Sequence, residues 1–281
     1  MKEWSSLGGV IEESKFQFLT GYLSRKYGLN IPADKKNMLV SRLFNRINKL
    51  GLKDINEYIT FVFNSEKGKA EYEFFIEYIT THKTFFFREN HQFEYLKELV
   101  SLEAQSGRHR MYRIWSAGCS TGEEVYTLGI LMEELRKMYP NIDYKLTGTD
   151  ISVPSLKKAA KGEYSEMELE NLDPAYKNRY FAKKIKDNEV KYRFKELSIA
   201  NRVNFGILNL NKPIYNLPTQ FDFIFCRNVI IYFDNNTKTK VIQKLLDKLK
   251  TGGTLFLGHS ETAIGSNLPI VSIRPTIYQK L

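Results

Sequence analysis

Residues 112–162 follow an order that leaves few folds open. The run "YRIWSAG" (112–118) is apolar like a buried strand, and it passes through a turn of small residues into "GEEVYTLGILMEELRKMYP", which reads as a helix. A second strand, "YKLTGTD" (144–150), leads into a second helix, "SVPSLKKAAKGEY", with Ser152 as its N-cap and Pro154 in its first turn. Parallel strands cannot be closed by a two-residue hairpin, so β-α-β-α order demands helices packed on the faces of a parallel sheet. The texture resumes with strands in "VNFGILNL", "FDFIFCRNVIIYF" and "GTLFLGHSE", a helix in "NTKTKVIQKLLDKLKTGG", and a closing hairpin in "IVSIRPTIYQKL". The expected class is α/β, a Rossmann-like, mostly parallel sheet with a C-terminal hairpin.

The first ninety residues show no alternating strand pattern. "ESKFQFLTGYLSRKYG" spaces Phe16, Leu19, Leu23 and Tyr27 as one helical face, with Ser14 as expected N-cap and Gly28 as stop. "ADKKNMLVSRLFNRINKLG", "DINEYITFVFN" and "KAEYEFFIEYITTH" read as three more helices, the second of these capped by Asp54. Along the first of them Lys35, Arg42, Arg46 and Lys49 gather on one flank beside the apolar arc Leu39, Leu43, Ile47 and Leu50. Such a stripe is either a solvated face or a docking surface for an acidic helix. After a linking helix in "HQFEYLKELVSLEAQ", residues 163–202 interrupt the later rhythm with many Tyr, Lys and Glu, which predicts an inserted antiparallel piece. The expected division is an all-α domain over 1–85 and a second domain over 86–281, with the insertion at about 163–202.

Composition narrows the function classes. The 281 residues, 42% of them hydrophobic, suffice for one large or two modest cores. No run approaches the roughly 18 apolar residues of a membrane span, and "MKEWSSLGGVIEESK" lacks a signal peptide's apolar core, so a cytoplasmic address without membrane insertion is expected. The two cysteines, Cys119 and Cys226, sit in apolar surroundings that suit reduced, buried thiols. His82, His91, His109 and His259 show no metal-ligand spacing, so no metal is expected. The net charge of +10 is spread along the chain; it suits an anionic partner, and an acidic protein surface serves as well as nucleic acid.

The turn "WSAGCSTGEEVY" (115–126) carries the chemistry. A phosphate-binding loop requires Lys before Ser/Thr, and here Gly122 is followed by Glu123; the dinucleotide fingerprint GxGxxG is also incomplete. Gly118, Ser120 and Gly122 alternate instead like the GxGxG loop of class I methyltransferases. Two glutamates at a helix start suit a cationic ligand such as S-adenosylmethionine and gain from the helix dipole; a tight turn with a capping Glu is the plainer alternative. Asp150, ending the second strand, is placed to accept hydrogen bonds from ribose hydroxyls.

Taken in order after a helical domain, "ITTHKTFFFRE" (79–89), "WSAGCSTGEEVY" and "FDFIFCRNVIIYF" (221–233) resemble the CheR-type chemoreceptor glutamate O-methyltransferases over nearly the whole chain. The resemblance implies S-adenosylmethionine as cofactor, S-adenosylhomocysteine as product, and transfer of a methyl group to receptor glutamates. It implies cofactor contacts from His82, Thr84, Arg88, Ala117, Gly118, Glu124 with Glu123 as second choice, Asp150, Asn209, Leu210, Arg227 and Asn228. Arg88 and Tyr232 are then the catalytic positions near the transferred methyl, and Lys35, Arg42, Arg46 and Lys49 face the anionic helical domain of a receptor in the cytoplasm. The insertion corresponds to a subdomain that in some members grips a tethering peptide at the receptor's C-terminus. The family usually carries asparagine at His82 and proline at Val125. Two other functions stay open on sequence alone: a methyltransferase acting on nucleic acid or a small molecule, and a non-catalytic module that binds the same cofactor. The stretch "CRNVIIYF" stands where amino-directed nucleic-acid enzymes carry Asn/Asp-Pro-Pro-aromatic, so no nucleic-acid partner is expected.

Overall fold

A computed structural model describes residues 9–186, 189–217, 220–263 and 268–281. Its first part is four helices, α1 (Glu13–Tyr27), α2 (Lys36–Lys49), α3 (Ile55–Asn64) and α4 (Gly68–Ile79). Their apolar stripes meet in one core that includes Leu19, Leu23, Leu39, Leu43, Ile55, Tyr58 and Phe75. Gly28 ends α1 in the left-handed conformation, φ 74°, as its position predicts, and Asp54 caps α3 by accepting from Glu57 N. Ser14 is not the cap of α1. The helix begins two residues earlier, at Glu13 with Glu12 at the N-cap position, where Asn56 on α3 accepts from Glu12 N at 2.9 Å and fixes the start from outside the helix.

Helix α5 (His91–Ala104) leads into a seven-stranded sheet. Its strands are β1 (Arg110–Ala117), β2 (Ile142–Asp150), β6 (Val203–Ile207), β7 (Phe221–Cys226), β8 (Leu249–Leu257), β9 (Ile270–Arg274) and β10 (Ile277–Lys280), in the order β6-β2-β1-β7-β8-β10-β9. The first five are mutually parallel, and β10 runs antiparallel to both β8 and β9. Helices α6 (Glu123–Met138), α7 (Val153–Lys161) and α10 (Asn235–Lys248) are the crossovers, and α7 is capped by Ser152 as expected. Apolar cores cover the sheet on both faces, one around Tyr112, Leu128, Met132 and Phe225, the other around Trp115, Ile224, Leu245 and Leu255.

Between α7 and β6 the chain makes a second, antiparallel sheet of β3 (Glu163–Ser165), β4 (Phe181–Lys186) and β5 (Glu189–Phe194) in the order β3-β5-β4, flanked by short helices α8 (Pro174–Tyr180) and α9 (Leu197–Ala200). Phe86, from the stretch joining α4 to α5, packs edge-on against Tyr164 and Phe181 of this piece. Among the described residues no helix is long and apolar enough to cross a membrane. The segment expected as one strand over 221–233 is shorter. β7 stops at Cys226, because Asn228 takes a left-handed backbone, φ 58°, and the chain turns into a 3-10 helix over Ile230–Tyr232.

Candidate active site

The carboxyl ends of β1, β2 and β7 meet where the chain leaves β1 toward opposite sides of the sheet, the position at which open α/β sheets bind ligands. The turn after β1 is locked there: the N–H groups of Gly118 and Cys119 donate to Thr149 O at 2.7 and 2.9 Å. Gly118 (φ 93°) and Gly122 (φ 97°) both require glycine. A Cβ on Gly118 would lie 2.4 Å from Val229 Cγ2, and one on Gly122 would lie 2.9 Å from Ala159 Cβ. Val125, where proline is usual, is fully buried and lies against Gly148 of β2.

The turn also aims an acid. Asp150 Oδ2 accepts from Ser120 N at 2.8 Å, and Oδ1 accepts from Ser152 N at 2.9 Å. Burial raises the Asp150 carboxyl above the usual range, opposed by the nearby His82 imidazole and by these two N–H groups. His82 bridges both sides of the cleft: its Nε2 meets Thr80 Oγ1, and its Nδ1 lies 3.2 Å from Ser155 Oγ and 3.4 Å from Ser120 Oγ.

The two glutamates of the turn separate. Glu124 lines the cleft, accepts from Ser116 Oγ at 2.7 Å and stands 3.4 Å from Arg227 Nη1. Burial raises its carboxyl and Arg227 pulls it back. Glu123 turns away, 2% exposed, and accepts from the Thr121 hydroxyl; burial raises it as well. Its second-choice assignment as a cofactor contact is therefore corrected: the carboxylate does not face the cleft. Ala117 is buried at the end of β1, just behind the lining.

Arg227, at the end of β7, has a side chain only 2% exposed, with Nε and Nη1 lacking hydrogen-bond partners. Its Nη2 donates to Arg88 O, and the guanidinium lies over the Phe93 ring. Asn228 N donates to Glu261 Oε2 at 2.8 Å, and Ile231 N to Oε1 at 3.2 Å. Glu261 braces the turn that carries Asn228, a supporting position that sequence reasoning missed. It lies far along the chain, and its one signal is an acid in "GHSE", just past a buried strand.

The helical side closes the cleft. His82, Thr84 and Arg88 line it from the joining stretch, and Arg88 Nη1 donates to Lys83 O at 2.7 Å. Asn209, Leu210 and Tyr232 line it opposite. Asn209 Nδ2 donates to Lys26 O at 2.8 Å, and Asn30 N donates to Tyr232 O at 2.8 Å, so the end of α1 is fastened to the sheet domain beside these residues.

The basic stripe of α2 does not survive intact. Lys35 is exposed at the cleft mouth, and Arg42 lines it while donating to Ile79 O and, at 2.7 Å, to Thr81 Oγ1. Lys49 is exposed away from the cleft. Arg46 is 7% exposed and forms a two-pronged pair with Glu71, which also accepts from Tyr58 OH. A guanidinium spent on a buried carboxylate is unavailable to a partner, so Arg46 leaves the set of docking residues.

A buried guanidinium short of acceptors beside a carboxylate is a fit for a zwitterionic amino-acid head, and a buried aspartate is a fit for ribose hydroxyls; together they suit S-adenosylmethionine. Comparison with known proteins agrees. Residues 82–275 match the family described as CheR methyltransferase, SAM binding domain, and residues 14–80 match CheR methyltransferase, all-alpha domain. The chain is 36% identical over 252 residues to the chemotaxis protein methyltransferase of Salmonella typhimurium LT2, covering 90% of this chain and 85% of that one. It is 34% identical over 275 residues to the chemotaxis protein methyltransferase of Borreliella burgdorferi, covering 96% and 95%.

Proposed function

The chain belongs to the CheR methyltransferase family, and from that premise we propose how its cleft works. It is an S-adenosylmethionine-dependent protein-glutamate O-methyltransferase acting on chemoreceptors. The observation that carries the reading of the site is the pairing of Glu124 with Arg227, a carboxylate and an under-satisfied buried guanidinium side by side at the end of the parallel strands. In this reading Glu124 and Arg227 hold the methionine end of the cofactor, Asp150 the ribose, and Asn209 and Leu210 flank the base, with His82, Thr84, Gly118 and Asn228 completing the walls.

Bound S-adenosylmethionine supplies an electrophilic methyl on a sulfonium. A receptor glutamate has an ordinary pKa of about 4.3 and arrives ionised at neutral pH, so no side chain has to remove a proton. The chain's own task is placement, and holding two reacting atoms at contact distance lowers a barrier by several kcal/mol. Arg88 and Tyr232 orient the incoming carboxylate. A close ion pair from Arg88 would stabilise the ground state and slow the attack, so its guanidinium works from a fixed position, tied to Lys83 O. Held by Glu124, Arg227 and Asp150, the cofactor supplies the methyl group to the placed carboxylate, leaving the chain's residues only the task of orientation.

Docking is proposed for the cleft mouth, where exposed Lys35 faces the acidic cytoplasmic helices of a receptor and Lys49 extends the same charge along α2. Among the described residues β4 pairs with β5 alone, and its outer edge, with Ile185 71% exposed, supports a second contact, a receptor tail adding as a further strand. The test is transfer of radiolabelled methyl to membranes carrying chemoreceptors, followed by mild alkali. Label released as methanol is expected from a carboxyl ester; alkali-stable label would overturn the ester chemistry.

A further inference from the structure

The helical part reaches the nucleoside side of the cleft through one side chain that is not itself part of the lining. Glu77, on α4, projects onto the N-terminus of α7. Its Oε2 accepts from Ser152 Oγ, and Ser155 Oγ lies 3.2 Å from Oε1 and 3.0 Å from Oε2. Both serines are 1% exposed. The same carboxylate lies 3.4 Å from His82 Nε2. An anion at a helix start is favoured by the dipole, so the contact is electrostatically sound from both directions. A second link between the two helices, Lys157 to Glu73 at 3.6 Å, is solvent-exposed and holds little by comparison.

What Glu77 touches is what aims Asp150. Ser152 N donates to Asp150 Oδ1, and Ser120 N donates to Oδ2. Ser120 in turn donates to His82 O at 3.2 Å and faces His82 Nδ1. Glu77 thus grips Ser152 directly and Ser120 through His82, which are the two residues that orient the acid.

Resting on the reading of the site given above, we propose that Glu77 is a positioning residue for the cofactor's ribose: it clamps α4 to the start of α7 and so holds Ser152, Ser155, His82 and Ser120 in the arrangement that orients Asp150. It acts on cofactor affinity and leaves the methyl-transfer geometry at Arg88 and Tyr232 alone.

The test compares the full-length wild type with Glu77→Ala, Glu77→Gln and Ser155→Ala, measuring S-adenosylhomocysteine binding by calorimetry and receptor methylation by initial rates. For Glu77→Ala the expected result is roughly tenfold weaker binding of S-adenosylhomocysteine and a matching rise in KM for S-adenosylmethionine, the scale of one lost charge-assisted hydrogen bond. The kcat at saturating cofactor and the KM for receptor stay at wild-type values. Glu77→Gln, which keeps an acceptor, recovers most of the loss. Ser155→Ala reproduces part of it and adds nothing in the Glu77→Ala background; it also keeps the test open if Glu77→Ala does not fold. Wild-type affinity in both Glu77→Ala and Ser155→Ala would overturn the inference. So would a fall in kcat and a rise in both KM values together with a lowered Tm, the mark of a purely structural residue. Absence of S-adenosylhomocysteine binding by the wild type would overturn the underlying reading of the site and this inference with it.

Discussion

At the residue scale, two adjacent acids show how position decides role. Glu123 and Glu124 share the first turn of α6, yet only Glu124 faces the cleft, because consecutive helical side chains point about 100° apart. Burial raises both carboxyls. An acid with a folded-state pKa above its unfolded value binds more protons folded than unfolded. Stability therefore falls as pH rises from the ordinary carboxylate range through the folded pKa. Glu123→Gln is expected to raise Tm at neutral pH, with the gain shrinking toward pH 4, and to leave S-adenosylhomocysteine affinity unchanged. Glu124→Gln should weaken that affinity about tenfold or more, since it removes the charge beside Arg227. Thermal melts across pH and calorimetry on the two variants check both statements; equal affinity losses would sink the distinction. Asp150 carries the same conflict of burial with charge, eased by the His82 imidazole and by the N–H groups of Ser152 and Ser120.

At the element scale, α2 separates stability from recognition along a single helix. Its apolar arc, Leu39, Leu43 and Ile47, packs into the helical core as the spacing predicts. On the charged flank, Arg46 lies over the Phe74 ring and is paired with Glu71 beneath the surface, whereas Lys35 and Lys49 stay in water. Reversing a buried partner leaves two like charges without solvent, so Arg46→Glu should destabilise the fold by about 3–5 kcal/mol. Lys35→Glu should keep the wild-type melting curve and raise only the KM for receptor. Denaturant unfolding of both variants, with receptor titration of the second, tests this; a stable Arg46→Glu protein would contradict the buried pair. Spacing placed all four cations on one flank, but no spacing rule says that α4 brings a carboxylate against one of them.

At the scale of the whole molecule, a net charge of +10 gives encounter with the acidic receptor helices proposed above a salt dependence that small-ligand binding lacks. The KM for receptor should rise several-fold between about 50 and 300 mM salt while the KM for S-adenosylmethionine stays nearly flat; parallel changes in both would place the charge effect on the cofactor site. The architecture itself was legible early. Alternation of apolar strands and helices fixes a parallel sheet because only crossovers connect parallel strands, and small residues at 118–122 mark the turn because only glycine tolerates its backbone beside Val229 and Ala159. Asp150 was readable for the same local reason, as the last residue of a strand. Glu261 beneath the Asn228 turn, Glu77 over the start of α7, the pairing of Arg46 and the burial of Glu123 were not readable. Each depends on a partner far along the chain or on which way a side chain turns once packed. Sequence periodicity reports which face of an element is apolar, a local property repeated along the chain. Which polar group meets which across two packed elements is set by the angles and registers of that packing, and these exist only in the folded molecule.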